Sequence, residues 1–120
     1  MGAQKTFALI LGMVLLLVGL LGFISDNGIV GEDAFFGSNA TQNILHLIAG
    51  AFGVYAGTKG RGQGYNSIIG WIGVILGVLG FIPGITEFLA KLLMINTEIT
   101  ILHLVIGVIS LLVYFSAVKE

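Results

Sequence analysis

Two histidines have the widest chemical repertoire in this chain, and both occur in one repeated phrase, "ILHL", at Ile44–Leu47 and Ile101–Leu104. An imidazole can hydrogen-bond, ligate a metal or relay a proton, so the pair admits three readings. In the first, His46 and His103 are interhelical hydrogen-bond partners, to a carbonyl, a loop carboxylate or each other, at about 0.6 kcal/mol per bond in a membrane. In the second, they ligate a b-type haem axially from two helices of a four-helix bundle, for electron transfer. The third is a proton-linked or small transport component, because ionisable groups inside a membrane mark functional sites. Two histidines alone do not close a tetrahedral zinc site. Asp26, Glu32 or Asp33 would have to join them, and no metal site is expected.

Other chemistries are excluded by what the sequence lacks. Cysteine is absent, which removes disulfides, thiolate metal sites and cysteine nucleophiles. No phosphate loop, serine triad or paired intramembrane carboxylate occurs, and "GRGQG" (Gly60–Gly64) lacks the strand that precedes a nucleotide-binding turn. A net charge of −1, with no cluster of lysine or arginine, excludes a nucleic-acid partner. An enzyme is not expected.

The elements that must position the histidines follow from composition. Of the 120 residues, 57% are hydrophobic and 9% charged, against about 25% charged in an ordinary globular domain. Mean hydropathy is +1.07, so the chain reads as one integral membrane domain over residues 1–120. Spanning a bilayer takes roughly 20 apolar residues of helix, and the runs Phe7–Ile24, Ala40–Gly57, about Tyr65–Pro83 and Ile99–Val118 supply four such spans. Phe7–Ile24 is longer than the roughly 7–15 residues of a signal-peptide core and is expected to be a retained helix. The expected fold is all-α and polytopic, with four transmembrane helices as two tandem hairpins.

The second half repeats the first. "VGLLGFI" (Val18–Ile24) aligns with "LGVLGFI" (Leu76–Ile82), and Gly12 matches Gly70. After a one-residue slip, Asn39, His46 and Gly50 match Asn96, His103 and Gly107. Repeat 1 covers about residues 1–58 and repeat 2 about 65–120. Two helices separate equivalent points, so the halves enter the membrane in the same direction, related by an axis along the membrane normal. Lys59 and Arg61 lie in the middle connection and Lys5 and Lys119 at the ends, whereas the other connections carry Asp26, Glu32, Asp33, Glu87 and Glu98. The positive-inside rule then places both termini and residues 58–64 in the cytoplasm. Within Ile85–Ile95, the residues Ile85, Phe88, Leu89, Leu92 and Leu93 form an apolar stripe, with Glu87 and Lys91 paired on the other side. A short helix on the outer membrane surface is expected there, and the glycine-broken stretch Ile29–Phe36 is its counterpart.

Glycines mark the packing faces. Gly70, Gly73, Gly77 and Gly80 share one face of the third span; Gly50, Gly53 and Gly57 share one on the second; Gly12, Gly19 and Gly22 lie on the first. Lipid gives helices no hydrophobic drive to associate, so small residues that let backbones approach supply the contact. His46 leads Gly50, Gly53 and Gly57 at spacings of 4, 3 and 4, and His103 leads Gly107, Ser110 and Tyr114 identically. Both rings therefore belong on packing faces. Asn39 and Asn96 are expected helix N-caps, with Gln42 at the capping-box position. From those caps each imidazole lies about 9 Å below its helix start, at equal depth.

On "NILHLIAG" (Asn43–Gly50) and "ILHLVIG" (Ile101–Gly107), the chain resembles the small bacterial membrane proteins catalogued as domain of unknown function 4383. The resemblance implies a short four-helix chain in a bacterial inner membrane and implies no catalytic residue. The function expected is a non-enzymatic structural, assembly or accessory subunit without a cofactor. Its partners are the lipid bilayer and further copies of itself or a larger membrane complex. The alternative is a haem b or transport component using His46 and His103. The visible spectrum of the purified protein separates the two: no Soret band is expected, and a stoichiometric one would establish the haem alternative.

Overall fold

Backbone groups of an apolar chain are best satisfied within helices, and helices dominate the computed structural model, which describes residues 1–119. The elements are α1 (Ala3–Leu21), β1 (Val30–Gly31), β2 (Phe36–Gly37), α2 (Ala40–Thr58), α3 (Gln63–Leu79), α4 (Ile85–Leu93) and α5 (Thr97–Ser116). The fold is all-α apart from the two short strands, which pair in parallel with Val30 opposite Phe36 and Gly31 opposite Gly37. Sequence periodicity gave no sign of them, since each has only two residues.

Polar side chains decide where the helices stop. The apolar run of α1 continues to Ile24, yet the helix ends at Leu21. The cause is Asn27, whose Nδ2 donates to the carbonyls of Leu21, Ile24 and Val30 at 2.9, 2.6 and 2.8 Å while its Oδ1 accepts from the Ile29 and Val30 amides. α3 likewise ends at Leu79 rather than Pro83, and the Thr86 hydroxyl donates to the Gly80 carbonyl just beyond it, at 2.8 Å. Asn39 and Asn96 cap α2 and α5, accepting from the amides of Gln42 and Ile99 at 3.0 Å. Gln42 does not complete a capping box; its amide group is used elsewhere. α4 forms where the apolar stripe lies and begins with the Glu87 carboxylate accepting from the Gly84 amide. Only part of that stripe is covered: Leu89 joins Ile95 and Ile99 in a small buried cluster, while Phe88 and Leu92 stay exposed.

Two antiparallel pairs, α1 with α2 and α3 with α5, carry most of the helix–helix contact. At their seams the backbones come too close for a side chain. A Cβ on Gly50 would stand 2.7 Å from both the Gly12 carbonyl oxygen and the Leu16 nitrogen; one on Gly107 would stand 2.8 and 2.5 Å from the equivalent Gly70 oxygen and Val74 nitrogen. Gly19 faces Leu47 as Gly77 faces Leu104, and Gly22 faces Asn43 as Gly80 faces Thr100. Gly57 abuts Leu9, Gly70 abuts Leu111, and Gly73 abuts Gly107. Ser110, the counterpart of Gly53, is buried and returns its hydroxyl to the Ile106 carbonyl at 2.7 Å.

The pairs meet each other mainly at their ends. At one end Asn39 Nδ2 donates to the Leu92 carbonyl at 3.0 Å, and Asn96 Nδ2 donates to the Phe35 carbonyl at 2.9 Å. Each cap thus holds the connection of the other half. The Gly37 amide adds a bond to Asn96 Oδ1 at 2.9 Å. Replacing Gly12 by alanine should destabilise the chain by about 1–3 kcal/mol, the usual cost of overpacking, because the atoms it meets are the backbone of Gly50, Gly53 and Val54. Gly64→Ala meets nothing within 4 Å and should be neutral or stabilising by up to about 1 kcal/mol. Thermal unfolding in detergent, followed by circular dichroism, compares the two.

Candidate functional site

α2 and α5 bring the two histidines together. The ring centroids of His46 and His103 are 6.1 Å apart, at an interplanar angle of 68°. The rings meet edge to face, and each Nδ1 is buried without a hydrogen-bond partner. Of the three readings of the pair, interhelical hydrogen bonding finds no partner at either Nδ1, and these two nitrogens stay unpaired. Neither a carbonyl nor a carboxylate reaches them.

Gln42 belongs to the same site. One turn before His46 on α2, it is 3% exposed. Its Nε2 donates to the Gly37 carbonyl at 3.1 Å and the Leu93 carbonyl at 2.9 Å, while its Oε1 is buried and unpaired. Sequence reasoning assigned this residue to a cap; the available signal was its i,i+4 relation to His46, which stacks the two on one helix face.

All three side chains line one end of an apolar groove of about 650 Å³ between α2 and α3. Leu45, Phe52, Ile68 and Ile72 wall it, Leu93 and Ile95 border it near Gln42, and Tyr55 and Tyr65 line its far end. The groove exists because contact between α2 and α3 is sparse and the residues facing across it include Ala49, Ala56 and Gly73. The Tyr65 hydroxyl donates to the Ala49 carbonyl at 2.8 Å, bridging α3 to α2. Gly53 makes room for that ring, since a Cβ there would stand 2.7 Å from the phenol oxygen.

A second polar cluster, missed in the sequence, ties the opposite end of the molecule. Gln4 and Asn66 are both fully buried. Gln4 Nε2 donates to the carbonyls of Val113 and Tyr114 at 3.0 and 3.2 Å, and Asn66 Nδ2 donates to the Gln4 carbonyl and to Gln4 Oε1 at 2.9 and 2.8 Å. Asn66 lies one turn before Gly70 on the glycine face of α3, which was the legible sign that it points inward. Gly62, at φ +89°, packs against the Gln4 carbonyl, where a Cβ would be 2.6 Å away.

Among the described residues, no group of three or more histidine, aspartate or glutamate side chains gathers to hold a metal ion. Asp26, Glu32 and Asp33 instead line a separate cup of about 600 Å³ with Asn27, Ser38 and Asn43. Haem ligation through Nε2 would leave each Nδ1–H to be oriented by an outer-shell acceptor, and neither has one.

Fold and site together define an all-α protein of two fused helical hairpins that share a histidine-headed groove. Two of its helices, Ala3–Leu21 and Thr97–Ser116, are long and apolar enough to cross a membrane. The chain belongs to the family described as Domain of unknown function (DUF4383), whose family model matches residues 5–116. Comparisons with curated proteins and with solved structures return no match.

The unpaired nitrogens set a stability expectation. Replacing both partners of an unmade polar contact by apolar groups is near neutral or stabilising. The double variant His46→Leu with His103→Leu should therefore unfold within about 1 kcal/mol of the parent, or later, in ligand-free detergent. A loss well beyond that in a thermal melt would mean that the rings hold the fold through bonds absent here.

Proposed function

We propose that this protein is a non-enzymatic, self-associating subunit of a bacterial inner membrane, crossing it four times with both termini and residues 58–64 in the cytoplasm. The observation that carries the reading is the exterior. With the glycine seams turned inward, large apolar side chains such as Leu17, Leu20, Ile48, Phe52, Ile75, Ile109 and Leu112 stand exposed along α1, α2, α3 and α5. Such a surface suits hydrocarbon and not water. α2 and α3, at 19 and 17 residues, lie along α1 and α5 respectively, the two helices long and apolar enough to span, so all four share one depth. α3 is at the short end of the usual range of about 17–25 residues.

Further features support the orientation and the membrane setting. The basic residues Lys5, Lys59, Arg61 and Lys119 fall at one end and the acidic connections at the other, in keeping with the positive-inside rule. Lys119 lies over the Tyr114 ring, 4.6 Å from its centroid, a pairing suited to an interface. Phe88 and Leu92 on α4 project outward, as they would on a helix resting on the outer leaflet.

Self-association follows from α3. Its glycines are taken up against α5, whereas Trp71, Ile75 and Val78, spaced by 4 and 3, form an exposed ridge. Van der Waals contact between such ridges is the main attraction available in lipid.

Topology is tested with single cysteines at Gly64 and Asp33, which avoid Gly62 and Asn27 because both of those hold local structure. They should label from opposite sides of intact cells; labelling of both from outside would reject the orientation. Ile75→Cys should cross-link into multiples of the 12.6 kDa chain in native membranes. A monomer only, in membranes and in mild detergent, would reject the architectural role.

A further inference from the structure

We propose that the end of the molecule carrying both termini binds the phosphate of an anionic phospholipid, with Lys5, Arg61 and Lys119 around the headgroup and Leu112 and Phe115 beside its acyl chains. The inference rests on the membrane reading above and adds a choice among lipids that this reading does not require. Along the chain the basic residues form no run; Lys5, Lys59, Arg61 and Lys119 lie in three separate segments. The fold gathers them.

Gln4 is the centre of that gathering. Its Nε2 donates to the Val113, Tyr114 and Ala117 carbonyls at 3.0, 3.2 and 3.3 Å. These bonds set the end of α5, and with it Lys119, beside the start of α1 and Lys5. The connection between α2 and α3 closes the third side. A Cβ on Gly62 would stand 2.8 Å from the Lys5 nitrogen, so Arg61 adjoins a residue whose backbone touches that of Lys5. The buried bonds from Asn66 to Gln4 hold this contact. Lys59 stands two residues before Arg61.

Charge selects the head of the partner. Among the described residues no carboxylate lies at this end. Asp26, Glu32 and Asp33 belong to the connection at the other end, and Glu87 and Glu98 to the first turns of α4 and α5. Like charges gathered without a counter-charge repel one another, and an anion set among them removes that repulsion. Arginine adds a planar fork that matches phosphate oxygens two at a time. Arg61 and Lys119 are exposed and Lys5 is half-buried, and the Lys119 ammonium stays 4.6 Å from the Tyr114 ring centroid.

The adjoining surface selects the rest. Leu112 and Phe115 stand exposed in the two turns of α5 before Lys119. A free phosphate or a nucleotide makes no use of that hydrocarbon, whereas a diacyl phosphate uses both surfaces. Anionic lipids attract a lysine or arginine near the membrane surface by about five-fold per charge.

Full-length protein in mild detergent is titrated with dioleoylphosphatidylglycerol and with dioleoylphosphatidylcholine, whose tails are identical, and bound lipid is counted by native mass spectrometry. The anionic lipid should bind at least about ten-fold more tightly at low salt, the scale of two such charges. The preference should shrink several-fold as ammonium acetate rises from about 0.05 to about 0.5 M, a measurement that needs no variant. The triple variant Lys5→Gln, Arg61→Gln and Lys119→Gln should keep at most about three-fold. Lys91→Gln, which removes the basic residue of the opposite end, should leave the preference unchanged. Equal binding of the two lipids, a preference indifferent to salt, or one unchanged in the triple variant would overturn the proposal. So would full displacement of the lipid by millimolar inorganic phosphate, which would make the ligand a free anion. Recovery of the chain outside the membrane fraction of cells is the separate outcome that rejects the membrane reading beneath it.

Discussion

Side-chain amides reaching backbone carbonyls at the two ends of the molecule are the bonds on which the arrangement of its halves depends. Each hairpin is internally close-packed, but the hairpins touch one another sparingly along their length. What joins the halves is the reciprocal reach of Asn39 to Leu92 and Asn96 to Phe35 at one end, and the Gln4–Asn66 cluster against the end of α5 at the other. Hydrogen bonds of this kind contribute about 0.5–1.5 kcal/mol each, and leaving a buried group unmade costs more; the Gln4–Asn66 bonds are buried, whereas those of Asn39 and Asn96 to Leu92 and Phe35 are exposed.

Held at both ends and loosely packed between, the molecule keeps a seam open. The groove lies along that seam, and the histidines meet where it runs up to the Asn39–Asn96 clasp. The opposite seam, between α1 and α5, is narrowed by Gln4. The duplication is therefore nearly symmetric in its backbone contacts and asymmetric in the side chains between the halves.

Equivalent positions show where the halves part. Gly50 and Gly107, Gly19 and Gly77, and the two capping asparagines make matching contacts. Gln42, by contrast, corresponds to Ile99, which fills the small core under α4; Tyr65 corresponds to Phe7, and Asn66 to Ala8. One copy of each pair retains packing while the other supplies polar chemistry, and the polar members Gln42 and Tyr65 mark the two ends of the α2–α3 groove.

The sequence by itself determined the helices, their caps, the duplication, the inward faces of the glycines and the equal placement of His46 and His103. Apart from the duplication, each of these is local: hydropathy over a run, a capping residue at a boundary, a spacing of three or four along one helix. Tertiary structure decided what those faces meet. Gln4 finds its acceptors 109 and 110 residues away, and Gln42 finds Leu93 across 51, separations that no periodicity records. It also decided that the imidazoles approach without bonding, that Asn27 ends α1 before its apolar run is spent, and that the seam beside α2 stays open. Those outcomes rest on which polar group reaches a free carbonyl first once the helices are packed, a competition among distant parts of the chain that its local order does not state.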